Sequence, residues 1–459
     1  MPVTMNTSFF GELLQTISDR GRALLDLARV RRGDAPVQSE SFVELCEELL
    51  TGRGEASGVA LAGEILSRYT TLAIGPRLGF FEALAHRFGP DPEAINVAVE
   101  AWRAAPTEQT AAELHEASEP RRLELFRRLN LAPNGTTALV RMREQLMDAM
   151  DHRDDFAAVD AGFVHLFASW FNRGFLVVRP INWSTPAIVL DKIIKYEAVH
   201  EISDWDDLRR RIDPPDRRCF AFFHPAMVDE PLIFVEVALT RELPAAIEPI
   251  LATKREPIDP NRATTATFYS ISNCQRGLAG VSFGNFLIKQ VVEEICRELP
   301  RLSTFVTLSP VPNFAAWLAR ERKAEASLAL TEDDKAELAG LDRPEWWRDP
   351  EAAAALREPV LRAAAWYFLH ARNRRGLPAD AVARFHLGNG ARLERLNWLA
   401  DLSERAIAQS HGLMVNYLYD LGDIEKNHEA YATQRTVVAS NAVLRLIKTP
   451  LPNILPVPA

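Results

Sequence analysis

The sequence predicts two unlike halves, an α-helical N-terminal bundle followed by an α+β C-terminal domain. Before about residue 173, apolar residues recur at helical spacing and no strand-like run of comparable quality occurs. After Trp170, short apolar runs typical of buried strands alternate with helical segments. We therefore expect a helical domain over residues 1–173 and an α+β domain over residues 174–459.

Length and composition indicate an ordinary globular protein. A chain of 459 residues is expected to form more than one domain. Its 47% hydrophobic and 25% charged residues are typical of soluble globular proteins. The formal net charge of −9 argues against a general nucleic-acid binder, which needs a basic face. It leaves room for a local basic pocket that binds a phosphorylated ligand.

Four scattered cysteines argue for a reducing compartment. Cys46, Cys219, Cys274 and Cys296 form no Cys-x-x-Cys pair, so neither a disulfide framework nor a structural zinc site is expected. No apolar run approaches the roughly 20 residues that cross a bilayer. The first residues lack the basic region of a secretory signal, and the last three are no peroxisomal tripeptide. We expect a cytoplasmic protein.

The N-terminal half carries three clear helix signals. Residues 9–30 place leucine and isoleucine side chains near one face at helical spacing. The tripeptide Asp-Pro-Glu at 91–93 combines an N-cap carboxylate, a proline at the first helical position and an acid in the first turn. Residues 135–150 repeat the amphipathic pattern after a Pro-Asn-Gly breaker. No catalytic spacing occurs here, so packing and oligomer formation are the expected roles.

The C-terminal half begins with predicted strands over 174–183, 219–225, 231–240 and 267–272. A glycine-rich loop, an amphipathic helix that ends at Pro300 and another strand then follow. The strands on either side of this helix should be neighbours joined by a right-handed crossover. The remaining predicted elements are helices over 313–372 with Thr331 as an N-cap, a small-residue turn at 385–390, a helix between Ser403 and Gly412, a strand over 412–420 and a last helix near 428–447.

Ser309 stands out in the stretch TFVTLSPVPNF, residues 304–314. An alternating apolar run ends at this serine, and Pro310 and Pro312 fix the backbone directly behind it. Taken alone, the stretch favours a strand that simply ends in a turn. The alternative is a hydroxyl that is held rigidly at a strand tip and aimed at a ligand.

The glycine-rich loop is a candidate phosphate cradle. Its residues run from Gln275 to Gly280, and Gly284 opens the following helix. Glycine lets backbone N–H groups approach an anion, and the N-terminus of a helix adds its positive end. The spacing matches neither the dinucleotide-binding motif nor the P-loop. A tight turn without a ligand is an equally good explanation of the spacing alone.

Several histidines and tyrosines are weaker candidates. His386 lies in the sequence FHLGNG, where the small-residue turn predicts an accessible side chain, although a lone histidine is more often structural. His411 fits a cation at a helix C-terminus, and the following proline explains His224. Tyr417 and Tyr419 share one face of a predicted strand, where core packing is the simplest role.

Six separated motifs together resemble the malonyl-CoA decarboxylase family in content and order. The resemblance covers roughly residues 170–445 and extends more weakly into the helical half through WFNRGFL at 170–176. The six motifs are FFHP, EPLIFVEVALT, FYSISNCQRGLAGVSFGNFLIKQVV, LSPVPNFAAWL, FHLGNGARLERLNWLAD and HGLMVNYLYDL.

The resemblance implies that residues 174–459 form a catalytic domain with a mixed sheet like that of the GCN5-related acetyltransferases (GNAT fold). The preceding helical domain would serve oligomer formation. The loop would hold the coenzyme A pyrophosphate, although Leu278 stands where that fold expects a glycine. The predicted substrate-binding residues are Gln275, Arg276, Gly277, Leu278, Ala279, Gly280, Ser282 and Gly284.

The resemblance also assigns catalytic residues. The family's serine falls on Ser309, its histidine on His386 and a tyrosine near the active site on Tyr419. Animal members carry an acid where this chain has Ser282, so a Ser-His-acid triad is not implied here. Which of Ser309 and His386 delivers a proton is open at this point.

The implied reaction is the decarboxylation of malonyl-CoA to acetyl-CoA and CO₂ through a thioester enolate that hydrogen-bond donors stabilise and that is protonated at C2. It requires no metal or organic cofactor, since coenzyme A is part of the substrate. The implied partners are malonyl-CoA and further copies of the chain in a dimer or tetramer. The alternatives are an acyltransferase that uses an acyl-CoA and a non-catalytic acyl-CoA sensor.

Overall fold

A computed structural model describes residues 42–51, 54–150, 153–281 and 287–447, without the side chain of Arg173. The predicted helix over 9–30, Ser282 and Gly284 lie outside the described residues. The described residues form two compact units. The first draws on the described parts of 42–177, 223–231 and 275–281, and the second on 178–222, 232–274 and 287–447.

The first unit is helical, and its described residues up to Leu176 contain no strand. The helix starting at Pro92 begins as predicted, because the Asp91 carboxylate accepts hydrogen bonds from the N–H groups of Glu93 and Ala94. Aromatic packing in the core includes Phe126 stacked on Phe163, with ring centroids 4.1 Å apart. The helices are α1 Phe42–Leu50, α2 Glu55–Thr71, α3 Ile74–His86, α4 Pro92–Ala104, α5 Glu108–Ser118, α6 Arg121–Asn130, α7 Gly135–Ala149 and α8 Ala157–Trp170.

An eight-stranded mixed sheet forms the centre of the second unit. Its order is β1-β2-β3-β4-β5-β8-β6, and β7 pairs antiparallel with β8 over the whole of Met414–Leu418. β3 is buried from Pro231 to Leu239, as its near-continuous apolar run predicts. The strands are β1 Val177–Pro180, β2 Arg217–Phe223, β3 Pro231–Thr240, β4 Thr265–Asn273, β5 Thr304–Thr307, β6 Ser309–Pro310, β7 Arg392–Asn397 and β8 Met414–Leu418.

Eleven α-helices accompany the sheet strands in the described part of the second unit. Thr331 caps its helix as predicted, with a capping box to Asp334. The last predicted helix is wrong in extent, because two separate helices occupy that region. The α-helices are α9 Ala187–Tyr196, α10 Trp205–Ile212, α11 Glu248–Leu251, α12 Leu287–Glu298, α13 Phe314–Lys323, α14 Glu332–Leu338, α15 Pro350–His370, α16 Ala381–Gly388, α17 Glu404–Ser410, α18 Ile424–Gln434 and α19 Asn441–Leu444.

The parallel pairing of β4 with β5 ends just before Ser309. The register runs from Thr265 opposite Thr304 to Phe268 opposite Thr307, which confirms that these strands are neighbours. The Leu308 N–H still donates to the Phe268 carbonyl, at 2.9 Å. Ser309 pairs instead with Val415 of β8. The chain therefore leaves β4 at this serine.

One charged cluster lies inside the second unit. Glu236 of β3 is fully buried, and Arg211 Nη1 donates to its carboxylate at 3.2 Å. The nearby Glu197 carboxylate accepts from Ser270 Oγ at 2.7 Å. Burial raises the pKa of Glu236 to about 8, against the opposing attraction of the guanidinium group. This buried acid is therefore a source of pH-dependent stability.

Candidate active site

Ser309 sits where the strand changes partners. The residue is 6% exposed, and the adjoining Pro310 pairs with Met414 of β8. Strand side chains alternate between faces, so Thr307 and Ser309 point the same way. The prolines fix the backbone behind the serine, as the sequence predicts, but the serine is inside the pairing pattern rather than at a free strand end.

His386 reaches the serine from the last turn of α16. Asp380 starts this helix, because its carboxylate accepts a hydrogen bond from Ala383 N–H at 2.7 Å. The prediction of an accessible histidine beside a turn is wrong, since His386 is helical and only 3% exposed. The turn follows the helix instead: at Gly390, with φ +82°, a Cβ atom would lie 2.1 Å from the Ile424 carbonyl oxygen.

Three side chains form one hydrogen-bonded group. Ser309 Oγ and His386 Nε2 are 3.2 Å apart, and His386 Nδ1 and Tyr419 Oη are 2.8 Å apart. The ring of Tyr417 stacks on the imidazole, with centroids 4.6 Å apart and planes inclined by 24°. The structure thus brings together Ser309, His386 and Tyr419, all three predicted catalytic residues.

The group is neutral at physiological pH. Burial lowers the pKa of His386 to about 3 and raises the pKa of Tyr419 well above its ordinary value. Within the described part of the chain, His386 hydrogen-bonds Ser309 and Tyr419 and no carboxylate. A neutral phenol therefore occupies the place that an acid holds in a Ser-His-acid triad.

The predicted phosphate loop belongs to the first unit, where α7 packs tightly against it. A Cβ atom on Gly277 would lie 2.1 Å from the Val140 carbonyl oxygen, so this close approach alone requires glycine. Arg143 Nη1 donates to the carbonyl groups of Gly277 and Ala279, at 2.7 and 2.8 Å. These contacts hold the loop against α7.

Several polar groups of the loop already have partners. The Gly277 N–H donates to the Glu144 carboxylate at 3.1 Å, and Arg276 pairs with Asp148 at 2.8 Å. The Gln275 amide donates to the Pro231 carbonyl at 3.0 Å. Two carboxylates of α7 thus bind the loop where an anionic ligand is predicted. The role of the loop in coenzyme A binding stays a prediction.

The two other candidate histidines of the sequence analysis, His224 and His411, have structural contacts. His224 Nε2 donates to the Trp170 carbonyl oxygen at 3.1 Å. His411 ends α17 with φ +54°, and its ring lies near Phe314 and Trp346. Burial lowers the pKa of His411 to about 4, so it is not the helix-terminal cation that the sequence suggests.

The described residues show neither a metal-binding cluster nor a membrane-spanning helix. The described part of the chain contains no group of three or more His, Cys, Asp or Glu side chains placed to hold a metal ion. Over the same residues, no helix combines the length and the apolar character that a bilayer span requires.

The sequence does not predict the contacts of two further residues of the site. Thr307 Oγ1 lies 2.9 Å from Ser309 Oγ, and Tyr417 stacks on the imidazole rather than only filling the core. The signal for Thr307 was available, because a residue two positions before a serine on a strand shares its face. Tyr417 has the same two-residue spacing from Tyr419, but nothing in the sequence predicts that the His386 imidazole stacks on the Tyr417 ring.

The mixed sheet, with its β4–loop–α12–β5 order and its buried Ser-His-Tyr group, defines an α+β unit beside the helical one in the chain. This is the predicted fold class, a helical bundle followed by an α+β domain. Comparison with protein families then specifies the relationship. The family described as malonyl-CoA decarboxylase C-terminal domain matches residues 174–455, and malonyl-CoA decarboxylase N-terminal domain matches residues 88–171.

Individual relatives agree with the family matches. Crystal structures of malonyl-CoA decarboxylase from Rhodopseudomonas palustris and Agrobacterium vitis are 57% and 55% identical to this chain, with TM-scores of 0.86 and 0.85. Each match covers 89% of this chain and 100% of the other. The mitochondrial malonyl-CoA decarboxylase of Anser anser anser is 35% identical over 423 residues, which cover 84% of this chain and 83% of the relative. The chain belongs to the malonyl-CoA decarboxylase family.

Proposed function

We propose that this protein converts malonyl-CoA to acetyl-CoA and CO₂. The observation that carries the proposal is the buried hydrogen-bonded group of Ser309, His386 and Tyr419, on the positions that the family resemblance assigns to the active site. Family membership supplies the substrate class, and the buried group supplies donors for the chemistry. The remaining question is how neutral side chains perform the reaction.

Decarboxylation breaks the bond between C2 and the carboxylate carbon of the malonyl group. The bonding electrons pass to C2 and on to the thioester oxygen, which produces CO₂ and an enolate. Negative charge therefore develops on the thioester oxygen, and a preorganised hydrogen-bond donor aimed at that charge lowers the barrier by about 3 kcal/mol. Ser309 Oγ–H and His386 N–H are the donors that we assign to this task.

The enolate must then take up one proton at C2. We propose that Ser309 Oγ–H gives this proton and that His386 Nε2 replaces it on the serine. At the same time the Tyr419 hydroxyl, 2.8 Å from His386 Nδ1, passes its proton to Nδ1, so the ring stays neutral and in place. A proton from solvent then restores the phenol, because the overall reaction consumes one proton. No acyl-enzyme intermediate is needed.

The loop from Gln275 to Gly280, with Ser282 and Gly284, is proposed to bind the coenzyme A pyrophosphate. Arg276 would have to exchange Asp148 for a phosphate, which is feasible because this exposed ion pair contributes little stability. The side chain of Gln275 is engaged internally, so we assign its contribution to the backbone. We propose that the reaction uses no metal and no organic cofactor.

Paired variants test the proposal. Ser309→Ala and His386→Ala should each lower kcat by about a hundredfold or more, because each removes a group that acts only in the transition state. Affinity for coenzyme A should change little in both. If both lose coenzyme A binding and kcat in parallel, the residues are structural. Release of coenzyme A only in the presence of an amine acceptor would favour an acyltransferase, and binding without turnover would favour a sensor.

We also propose that the protein is a cytoplasmic dimer or tetramer. Exposed apolar side chains on α4 support the oligomer, since Val97 and Trp102 are 72% and 43% exposed. Light scattering during size-exclusion chromatography measures the mass directly. A monomer at micromolar concentration would contradict the proposal.

A further inference from the structure

Thr307 carries a hydroxyl that touches the hydroxyl of Ser309. The residue is fully buried, and its Oγ1 accepts hydrogen bonds from Ser309 Oγ at 2.9 Å and from the Tyr417 N–H at 3.2 Å. Its carbonyl oxygen accepts from Asn416 Nδ2 at 2.8 Å. Strand pairing and these contacts therefore fix the threonine rigidly beside Ser309.

The direction of the Ser309–Thr307 bond determines where the other protons lie. A serine hydroxyl has one proton, and in this geometry Ser309 donates it to Thr307. Ser309 Oγ therefore presents lone pairs to His386 Nε2, 3.2 Å away. That contact is attractive only if Nε2 carries a proton.

The other side of the ring agrees with this assignment. A neutral imidazole with a proton on Nε2 has a bare Nδ1, which can only accept a hydrogen bond. The hydroxyl of Tyr419 lies 2.8 Å from Nδ1 and is able to donate. All donors then point in one direction, from Tyr419 through His386 and Ser309 to Thr307.

We propose that Thr307 is a positioning residue that sets this direction and keeps His386 in the tautomer protonated on Nε2. The inference rests on the proposed function for its catalytic consequence, although the tautomer itself does not depend on it. In this arrangement His386 cannot act as a base toward Ser309. His386 Nε2 already carries the proton that it passes to Ser309. Ser309 needs only to rotate its O–H bond from Thr307 to the substrate.

Removal of the threonine hydroxyl should reverse the direction. Without an acceptor at residue 307, the Ser309 hydroxyl turns to His386 Nε2, the only other polar atom that contacts it in the described structure. The ring then carries its proton on Nδ1 and donates to Tyr419. The Ser309 hydroxyl would then donate to His386 Nε2. No proton would remain on Nε2 to replace the one that Ser309 gives to C2.

The experiment uses the full chain labelled with ¹⁵N in histidine. Long-range ¹H–¹⁵N spectra show which ring nitrogen carries the proton, and His386→Gln identifies the His386 signals. Thr307→Val removes the acceptor at nearly constant shape, and Thr307→Ser keeps it as the matched control. We expect the Nε2–H form in the wild type and in Thr307→Ser, and the Nδ1–H form in Thr307→Val.

Kinetics complete the test. In Thr307→Val, kcat should fall about tenfold or more, equivalent to about 1.4 kcal/mol, while KM for malonyl-CoA stays within about threefold. Thr307→Ser should recover most of kcat, which a simple loss of packing would not explain.

Three results would overturn the proposal. The first is the Nδ1–H form in the wild type, which decides the matter even if Thr307→Val fails to fold. The second is an unchanged tautomer in folded Thr307→Val, and the third is an equal change in Thr307→Ser. Full activity of Ser309→Ala and His386→Ala would instead remove the proposed function, and the tautomer spectra would still report on Thr307 alone.

Discussion

Tyr419→Phe removes one oxygen from the centre of the site and keeps the ring. Tyr419 is 1% exposed, and its hydroxyl is the partner of His386 Nδ1 at 2.8 Å. The deletion leaves a buried ring nitrogen without a partner, which costs about 1–3 kcal/mol. Part of that cost falls on the folded protein and part on the transition state, where His386 must keep its orientation.

The expected loss of kcat in Tyr419→Phe depends on how much of this free-energy cost falls on the transition state. If about 1.4–2.8 kcal/mol is lost in the transition state, kcat falls roughly 10- to 100-fold. The free energy of unfolding should fall by about 1 kcal/mol or more for the same reason. KM for malonyl-CoA should change little, because the tyrosine contacts the histidine rather than the coenzyme A moiety in this account.

Tyr417→Phe is the matched control. Tyr417 stacks on the same imidazole, but its contact is through the ring, which phenylalanine retains. Steady-state decarboxylation rates and urea unfolding of both variants give the comparison. Loss of kcat in Tyr417→Phe equal to that in Tyr419→Phe, or less than a twofold loss in Tyr419→Phe, would refute the role given to the Tyr419 hydroxyl.

Two further predictions concern stability. Burial raises the pKa of Glu236 from 4.5 to about 8, so between these pH values the folded chain holds a proton that the unfolded chain releases. The stability that this proton contributes is fully present below pH 4.5 and is lost as the pH rises to about 8. Urea unfolding should show this loss in the wild type and much less of it in Glu236→Gln, and parallel pH profiles would contradict it. Gly277→Ala should lower the free energy of unfolding by about 1–3 kcal/mol, because the new Cβ lies 2.1 Å from the Val140 carbonyl oxygen. Gly280→Ala should lower the free energy of unfolding by less, because its new Cβ would have no atom within 4 Å apart from the chain neighbours and only the positive φ opposes alanine. A larger loss in Gly280→Ala than in Gly277→Ala would contradict the packing argument.

Much of the fold could be predicted because its signals are local. The apolar run of β3 and the caps at Asp91 and Thr331 depend on residues close in the chain, and each appears as predicted. The environment of His386 could not be derived in that way. Its burial depends on Tyr417 and Tyr419, which lie about 30 residues away and contact it only in the folded chain.

The loop from Gln275 to Gly280 shows a different limit. Its glycines were consistent with a phosphate cradle or a tight turn, and sequence spacing could not separate the two. The structure adds a third reason for Gly277, which is the close approach of α7. A glycine required by packing resembles one required by a ligand, because both simply need the absence of a Cβ.

Ser309, in contrast, is grouped with His386 and Tyr419 by the family resemblance rather than by its own stretch of sequence. TFVTLSPVPNF alone favoured a strand that ends. The hydrogen bonds to His386 and Thr307 show a serine held by both strand pairing and side chains. Thr307 was overlooked because its threonine is also an ordinary strand residue.

Decarboxylation of malonyl-CoA that depends on Ser309 can be measured directly. The purified protein and Ser309→Ala are each incubated with malonyl-CoA and a metal chelator, without an amine acceptor, and the products are followed by mass spectrometry. We expect rapid formation of acetyl-CoA by the wild type and almost none by the folded variant. Intact malonyl-CoA with the wild type, or equal conversion by Ser309→Ala, would contradict it.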